Sequence, residues 1–112
     1  MKLNSVIFHT PNLAKIREFY EVKLGLPTGT FVKNGERVPD FSGTYVNYHL
    51  SGSLLCFEID GSRLDMGTVV LNTPKFEELR TKLRGEVTGG NDHYFKIKDP
   101  DGRSLIIEPE LQ

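Results

Sequence analysis

A single cysteine, Cys56, leaves this 112-residue chain unable to form an intramolecular disulfide or a zinc ribbon. A reducing, cytoplasmic setting is the corresponding expectation. Charge of one sign is lacking too: 14 Lys and Arg stand against 15 Asp and Glu, for a net charge of −1. Proteins that grip nucleic acid through its phosphates usually carry a basic excess, so no nucleic-acid partner is expected. Long apolar runs are missing as well. The stretch after Met1-Lys2 is short and broken by His9, so neither a signal peptide nor a membrane span is expected. There is no glycine-rich phosphate loop, no H-E-x-x-H, no G-x-S-x-G and no low-complexity tract.

What is present is a repeat within one domain-sized chain. Residues 5–16 read S-V-I-F-H-T-P-N-L-A-K-I, and residues 68–79 read T-V-V-L-N-T-P-K-F-E-E-L, a shift of 63. Each copy begins with a β-branched apolar run suited to a buried strand. Thr10 or Thr73 then stands where a hydroxyl could cap a helix, with Pro11 or Pro74 at the first helical position. Apolar residues follow at helical spacing: Leu13, Ile16, Phe19 or Tyr20 and Leu24, then Phe76, Leu79 and Leu83. Glu77 and Glu78 early, with Lys82 and Arg84 late, suit the helix dipole, and Gly25 and Gly85 are natural stops.

The two copies also end alike. Residues 52–58 read G-S-L-L-C-F-E and residues 102–108 read G-R-S-L-I-I-E, a shift of 50. Each run follows a turn, and a strand precedes each turn (Tyr45 to Leu50, His93 to Lys98), so both ends read as hairpins. The change of shift makes the second copy 13 residues shorter, opposite Gly29 to Gly43. That segment reads as a long loop carrying a short strand, Thr28 to Lys33. The expected fold class is α+β: two βαβββ modules, residues 1–60 and 64–112, forming paired curved mixed sheets, each with a helix on its outer face.

The run VIFHTPNLAKIREFYEVKLGLP resembles the opening of many vicinal oxygen chelate proteins, and FKIKDPDGRSLIIE resembles their last hairpin. The resemblance to this glyoxalase/bleomycin-resistance/dioxygenase superfamily covers essentially the whole chain. It implies two half-barrels round a shared cavity, and a homodimer. It also implies metal donors, a His in the first strand of a half and a Glu in its last. By motif register those positions are Ser5, Cys56, Thr68 and Ile106. Hydroxyls are weak ligands for divalent metals, an aliphatic chain is none, and one thiol cannot hold an ion. The expected cofactor is therefore none, with one divalent metal ion as the alternative.

Strand alternation puts His9 on the face of Ser5 and Ile7, Glu58 on that of Cys56, and Glu108 on that of Ile106. His9, Glu58 and Glu108 are thus the candidates for a relocated metal site, or else solvated groups at a cavity rim. Glu58 and Glu108 are also weak candidates for an acid–base pair. Tyr94, Lys96 and Lys98 could hold an anionic ligand, or form an edge strand with solvated lysines. Tyr45, Tyr48 and His49 could stack on a planar ligand. Phe31 and Phe41 could form a lid, with core filling expected for at least one. Cys56 is expected to be an inert buried thiol. Asp99-Pro100-Asp101-Gly102 reads as turn chemistry with no catalytic role.

The expected function is metal-independent binding of a small molecule in a cavity between the halves. Its expected lining is Ser5, Ile7, His9, Cys56, Glu58, Thr68, Val70, Tyr94, Lys96, Ile106 and Glu108. A metal-dependent lyase, isomerase or dioxygenase with relocated ligands is one alternative. A non-catalytic scaffold or regulatory module with a collapsed cavity is the other.

Overall fold

Both copies of the strand–Thr-Pro–helix run fold into equivalent elements of the computed structural model, which describes residues 1–110. The chain divides into two units, Met1–Asp65 and Met66–Gln112.

In the first unit, β1 (Ser5–Thr10) leads into α1 (Leu13–Arg17), which widens into a π-helical turn over Glu18–Lys23. A two-stranded ribbon follows, β2 (Thr30–Lys33) and β3 (Glu36–Pro39), and then the hairpin β4 (Tyr45–Leu50) and β5 (Ser53–Ile59). The sheet order is β1-β5-β4, with β1 and β5 parallel. In the second unit, β6 (Thr68–Thr73), α2 (Phe76–Lys82), β7 (Gly89–Asn91), β8 (Tyr94–Lys98) and β9 (Ser104–Pro109) give βαβββ, with sheet order β6-β9-β8-β7. The repeat holds at the level of register. Ser5 pairs with Leu54 and Thr68 with Ser104, so both shifts seen in the sequence meet in one parallel strand pair.

One face of each sheet is packed. In the first unit Phe8, Val46, Tyr48, Leu55 and Phe57 are buried with Leu13, Ile16, Phe19 and Tyr20 of the helical segment. The Tyr20 and Phe57 rings lie 4.7 Å apart. Phe19 and Tyr20 are both buried although adjacent, which the wider π turn permits; its bond runs from Leu24 N–H to Phe19 C=O. In the second unit Phe95, Ile97, Leu105 and Ile107 are buried with Phe76 and Leu83 of the helical segment. Burial of this apolar surface is the main force holding each sheet to its helix.

Several expectations are corrected. Thr10 and Thr73 do not cap helices. Their hydroxyls accept from the N–H two residues on, at Asn12 and Lys75, a turn that competes with capping for short hydroxyl side chains. Asn12 is the actual cap of α1, its side chain accepting from Lys15 N–H. Gly25, at φ +77°, ends the first helical segment as expected. Gly85 does not end α2, which stops at Lys82; Arg84–Glu86 form a short 3₁₀ turn, so Arg84 lies beyond the last turn of α2.

The segment from Gly29 to Gly43 carries two strands rather than one. Asn34 and Gly35 both have positive φ, the two-residue turn that an Asn-Gly pair favours. β8 is not an edge strand where Lys96 lies, because β7 pairs along Tyr94–Lys96; Lys98 extends past the end of β7. Neither Phe31 nor Phe41 is in the core: Phe31 is exposed, and Phe41 lies beneath the Arg17 guanidinium at 4.0 Å.

Buried polar chemistry supports the last hairpin. Arg103 is wholly buried, its Nη1 donating to Asp99 Oδ2 at 3.0 Å and Asp101 Oδ2 at 2.9 Å. The D-P-D-G turn is thus structural, as expected, and it also neutralises an interior guanidinium. Among the described residues, no helix is long and apolar enough to cross a membrane.

Candidate functional site

The sheet face opposite the helix in the first unit carries Ser5, Ile7 and His9 from β1 and Leu54, Cys56 and Glu58 from β5. Tyr45, Asn47 and His49 from β4 complete it, by strict strand alternation. An open concavity of ≈ 350 Å³ lies on this face. Ser5, Ile7, Cys56 and Glu58, four of the residues expected in a binding site, border it together with Leu54. So do Asp40, Tyr45 and Asn47, of which neither Asp40 nor Asn47 was read from the sequence as a site residue.

Asp40 reaches this face because the β2–β3 ribbon is fastened at its root. Asp40 N–H donates to Gly29 C=O at 2.8 Å, and Asn47 N–H donates to Asp40 C=O at 3.0 Å. Its carboxylate is nearly buried and accepts at Oδ2 from Asn47 Nδ2 at 3.0 Å, with His49 Nε2 2.7 Å away. Burial works to raise the Asp40 pKa, but the hydrogen bonds from His49 and Asn47 outweigh it, and the carboxyl sits below its usual range. Burial first, then the charges of Glu58 and Asp40, push the Cys56 thiol up to about 11. Tyr45 is raised by desolvation and by the Asp40 charge. The thiol is therefore protonated at neutral pH, a poor nucleophile, as expected.

His9 is held away from any free role. Its Nδ1 lies 2.7 Å from Asp65 Oδ2, its backbone N–H donates to the same oxygen at 2.8 Å, and its Nε2 lies 3.4 Å from Glu58 Oε2. Hydrogen bonds from the His9 ring and backbone, with one from Arg63, hold the Asp65 carboxyl far below its usual range. Tyr48, read as a possible stacking residue, points to the core instead, where its hydroxyl donates to Glu21 Oε2 at 2.9 Å. Arg17 donates to both oxygens of Glu21, so this buried phenol is part of a satisfied network.

On the corresponding face of the second unit stand Thr68 and Val70 from β6, Ile106 and Glu108 from β9, and Lys96 from β8. Val70 on this face is 55% exposed. Lys98 Nζ donates to Ser104 Oγ at 2.8 Å. Tyr94 also borders a separate open concavity of ≈ 780 Å³, with Arg80 and Arg84 on its rim.

The four positions that the family resemblance gives to metal donors do not supply a donor set suited to a divalent metal. Ser5 and Cys56 meet at one concavity, yet neither is a His or a carboxylate, and their counterparts are Thr68 and Ile106. Among the described residues, no three His, Cys, Asp or Glu side chains converge as ligands. His9 and Glu58 are adjacent, but His9 presents one ring nitrogen to Asp65 and the other to Glu58.

No family profile matches the sequence. No curated protein matches it either. Solved structures do. A glyoxalase/dioxygenase from Nostoc punctiforme is similar at a TM-score of 0.74 and 16% identity, over 99% of this chain and 92% of that one. A lactoylglutathione lyase from Agrobacterium tumefaciens gives 0.63 and 15%, over 96% and 92%. The oxidase ChaP-H2 gives 0.71 and 14%, over 99% and 94%. The chain has the α+β fold of the glyoxalase/bleomycin-resistance/dioxygenase proteins, the fold of the vicinal oxygen chelate superfamily.

Proposed function

We propose that the chain is a metal-independent small-molecule-binding protein of the glyoxalase/bleomycin-resistance type, using the open sheet face of its first unit to hold a ligand. The observation that carries this reading is the makeup of the ≈ 350 Å³ concavity, where Ser5 and Cys56 stand at positions that the family resemblance gives to metal donors. Ile7 and Leu54 supply apolar surface there, while Tyr45, Asn47 and Asp40 supply anchored polar groups, the mixture a ligand pocket needs. Fold alone does not choose between binding and catalysis. The lack of a convergent donor set among the described residues and the raised Cys56 pKa both weigh towards binding. A homodimer is part of the proposal on family resemblance, and analytical ultracentrifugation tests it.

The functional test is a thermal-shift screen of a broad metabolite and antibiotic panel, run in EDTA. A ligand at about 100 times its Kd stabilises the folded state by about 2.7 kcal/mol, a shift of about 10 °C for a chain of this size. At least one compound is expected to raise the midpoint by that much with the chelator present. Silence across the panel, or stabilisation that appears only when a metal is restored, overturns the proposal.

A further inference from the structure

Six asparagines stand in the chain, and only Asn34 is followed by glycine. The structure sets it apart as well. Asn12 caps α1 through its side-chain oxygen, Asn91 Oδ1 accepts from His93 N–H at 2.7 Å, and Asn47 Nδ2 donates to Asp40. Asn4 and Asn72 are held by backbone pairing beside or within strands. Asn34 is exposed at the tip of the β2–β3 ribbon at φ +51°, with Gly35 next to it at φ +78°. Neither the Asn34 amide nor the Gly35 N–H has a hydrogen-bond partner among the described residues. A Cβ placed on Gly35 would meet nothing within 4 Å, so the turn is open to solvent on that side.

Little packing holds the ribbon around this turn. All four residues of β2 are exposed, as are Glu36, Arg37 and Pro39 of β3, and no third strand joins the pair. Two strands alone are at best marginally stable in water, so their tip opens more readily than the sheets behind it.

We propose that Asn34, exposed and unpartnered before Gly35 in the ribbon turn, is a site of spontaneous deamidation whose isoaspartyl product unzips the ribbon tip. The Gly35 backbone nitrogen, its proton taken by hydroxide, bonds to Asn34 Cγ. The Cγ–Nδ2 bond breaks, ammonia leaves with a proton regained from water, and a cyclic succinimide remains. Water then opens that ring at either carbonyl. One route leaves an aspartyl residue, and the other an isoaspartyl residue whose main chain runs through the former side chain. The balance is one water consumed and one ammonia released, with no oxidant or metal. Glycine favours ring closure because it carries no side chain to block the approach. The isoaspartyl residue adds a methylene to a backbone that must turn in two residues, so the closure between Lys33 and Glu36 is lost. Fraying stops at the root, where Asp40 N–H donates to Gly29 C=O and Asn47 N–H to Asp40 C=O. The reaction needs no ligand and is independent of the binding reading.

The test ages the full chain at pH 8.5 and 37 °C, folded and in guanidinium, with peptide mapping that separates the two acidic isomers. In the folded chain Asn34 is expected to convert at least tenfold faster than every other asparagine, and within tenfold of its rate in guanidinium. Its rate should climb with pH, as base-promoted ring closure requires. The isoaspartyl protein should be cut by trypsin at the Arg37–Val38 bond several-fold faster than fresh protein. Asn34→Asp carries the new charge on a normal backbone and should be cut at the fresh rate. Asn34→Gly keeps a two-residue turn and should gain no sensitivity on ageing. A smaller lead over another asparagine, stronger protection by folding, or isoaspartyl protein cut no faster than Asn34→Asp overturns the proposal.

Discussion

His9 Nδ1 and Asp65 Oδ2 lie 2.7 Å apart, and the His9 backbone N–H donates to the same carboxylate oxygen. Asp65 N–H donates in return to His9 C=O, so the end of β1 and the segment after β5 are clasped by both side chain and backbone. The bonds from His9, with help from Arg63, depress the Asp65 pKa in the folded chain. A carboxyl depressed on folding stabilises the fold fully above its unfolded value, about 3.9, and that contribution is lost as pH falls through the folded value. Asp65→Asn should therefore lower the urea midpoint at pH 7, and the gap from wild type should close progressively as the pH is taken well below 4. Parallel midpoint–pH curves for the two proteins would contradict this.

Arg103 is the second clasp. Its side chain and that of Asp99 are both fully buried, with Asp101 nearly so. Removing one partner of a buried pair strands the other without solvent, a loss of about 3–5 kcal/mol. Arg103→Ala and Asp99→Asn should each show a loss of that order in guanidinium denaturation. A cost below about 1 kcal/mol for both variants would show that water reaches the pair.

The structure also marks which parts of this chain were legible from sequence. The repeat was, because strand, turn and hairpin are local: the turn at Ser51-Gly52 follows from patterns within a few residues, whereas the pairing of Ser5 with Leu54 is long-range and was not read. That Ile7 shares the face of Ser5, and Glu58 that of Cys56, followed from alternation; that this face is the open one followed from the family resemblance. Asp65 was missed because its partner is 56 residues away. Asp40 was missed because its position depends on how the ribbon root is pinned to β4, a tertiary matter. The second strand of the ribbon had a visible signal, Asn34-Gly35, that went unused. Tyr48 shows the limit of composition: an aromatic on a strand says nothing of its face until register is set.

Gly29 sets the place of His49. A Cβ built on Gly29 would collide with the His49 ring, so only glycine leaves the imidazole beside Asp40. Gly29→Ala is expected to push the exposed ring outward at a modest cost in stability, within about 1–2 kcal/mol. Without His49 near its carboxylate, Asp40 should titrate at higher pH than in wild type, read by carboxyl carbon NMR. An unchanged Asp40 titration would contradict the arrangement.

Cys56, with a thiol pushed up to about 11, should react slowly with iodoacetamide at pH 7.5 in the folded protein. Because the thiolate is the reacting form, the rate should climb about tenfold per pH unit between 7.5 and 9.5. A fast, pH-independent alkylation in this range would show an activated thiol and revive a nucleophilic role.

Elemental analysis of protein purified without chelators bears most directly on the central claim, that this fold is used here without a metal. Far less than one equivalent of Zn, Ni, Mn or Fe per chain is predicted, with ligand-induced stabilisation unchanged by EDTA. A stoichiometric ion whose loss follows replacement of His9, Glu58 or Glu108 would contradict the account.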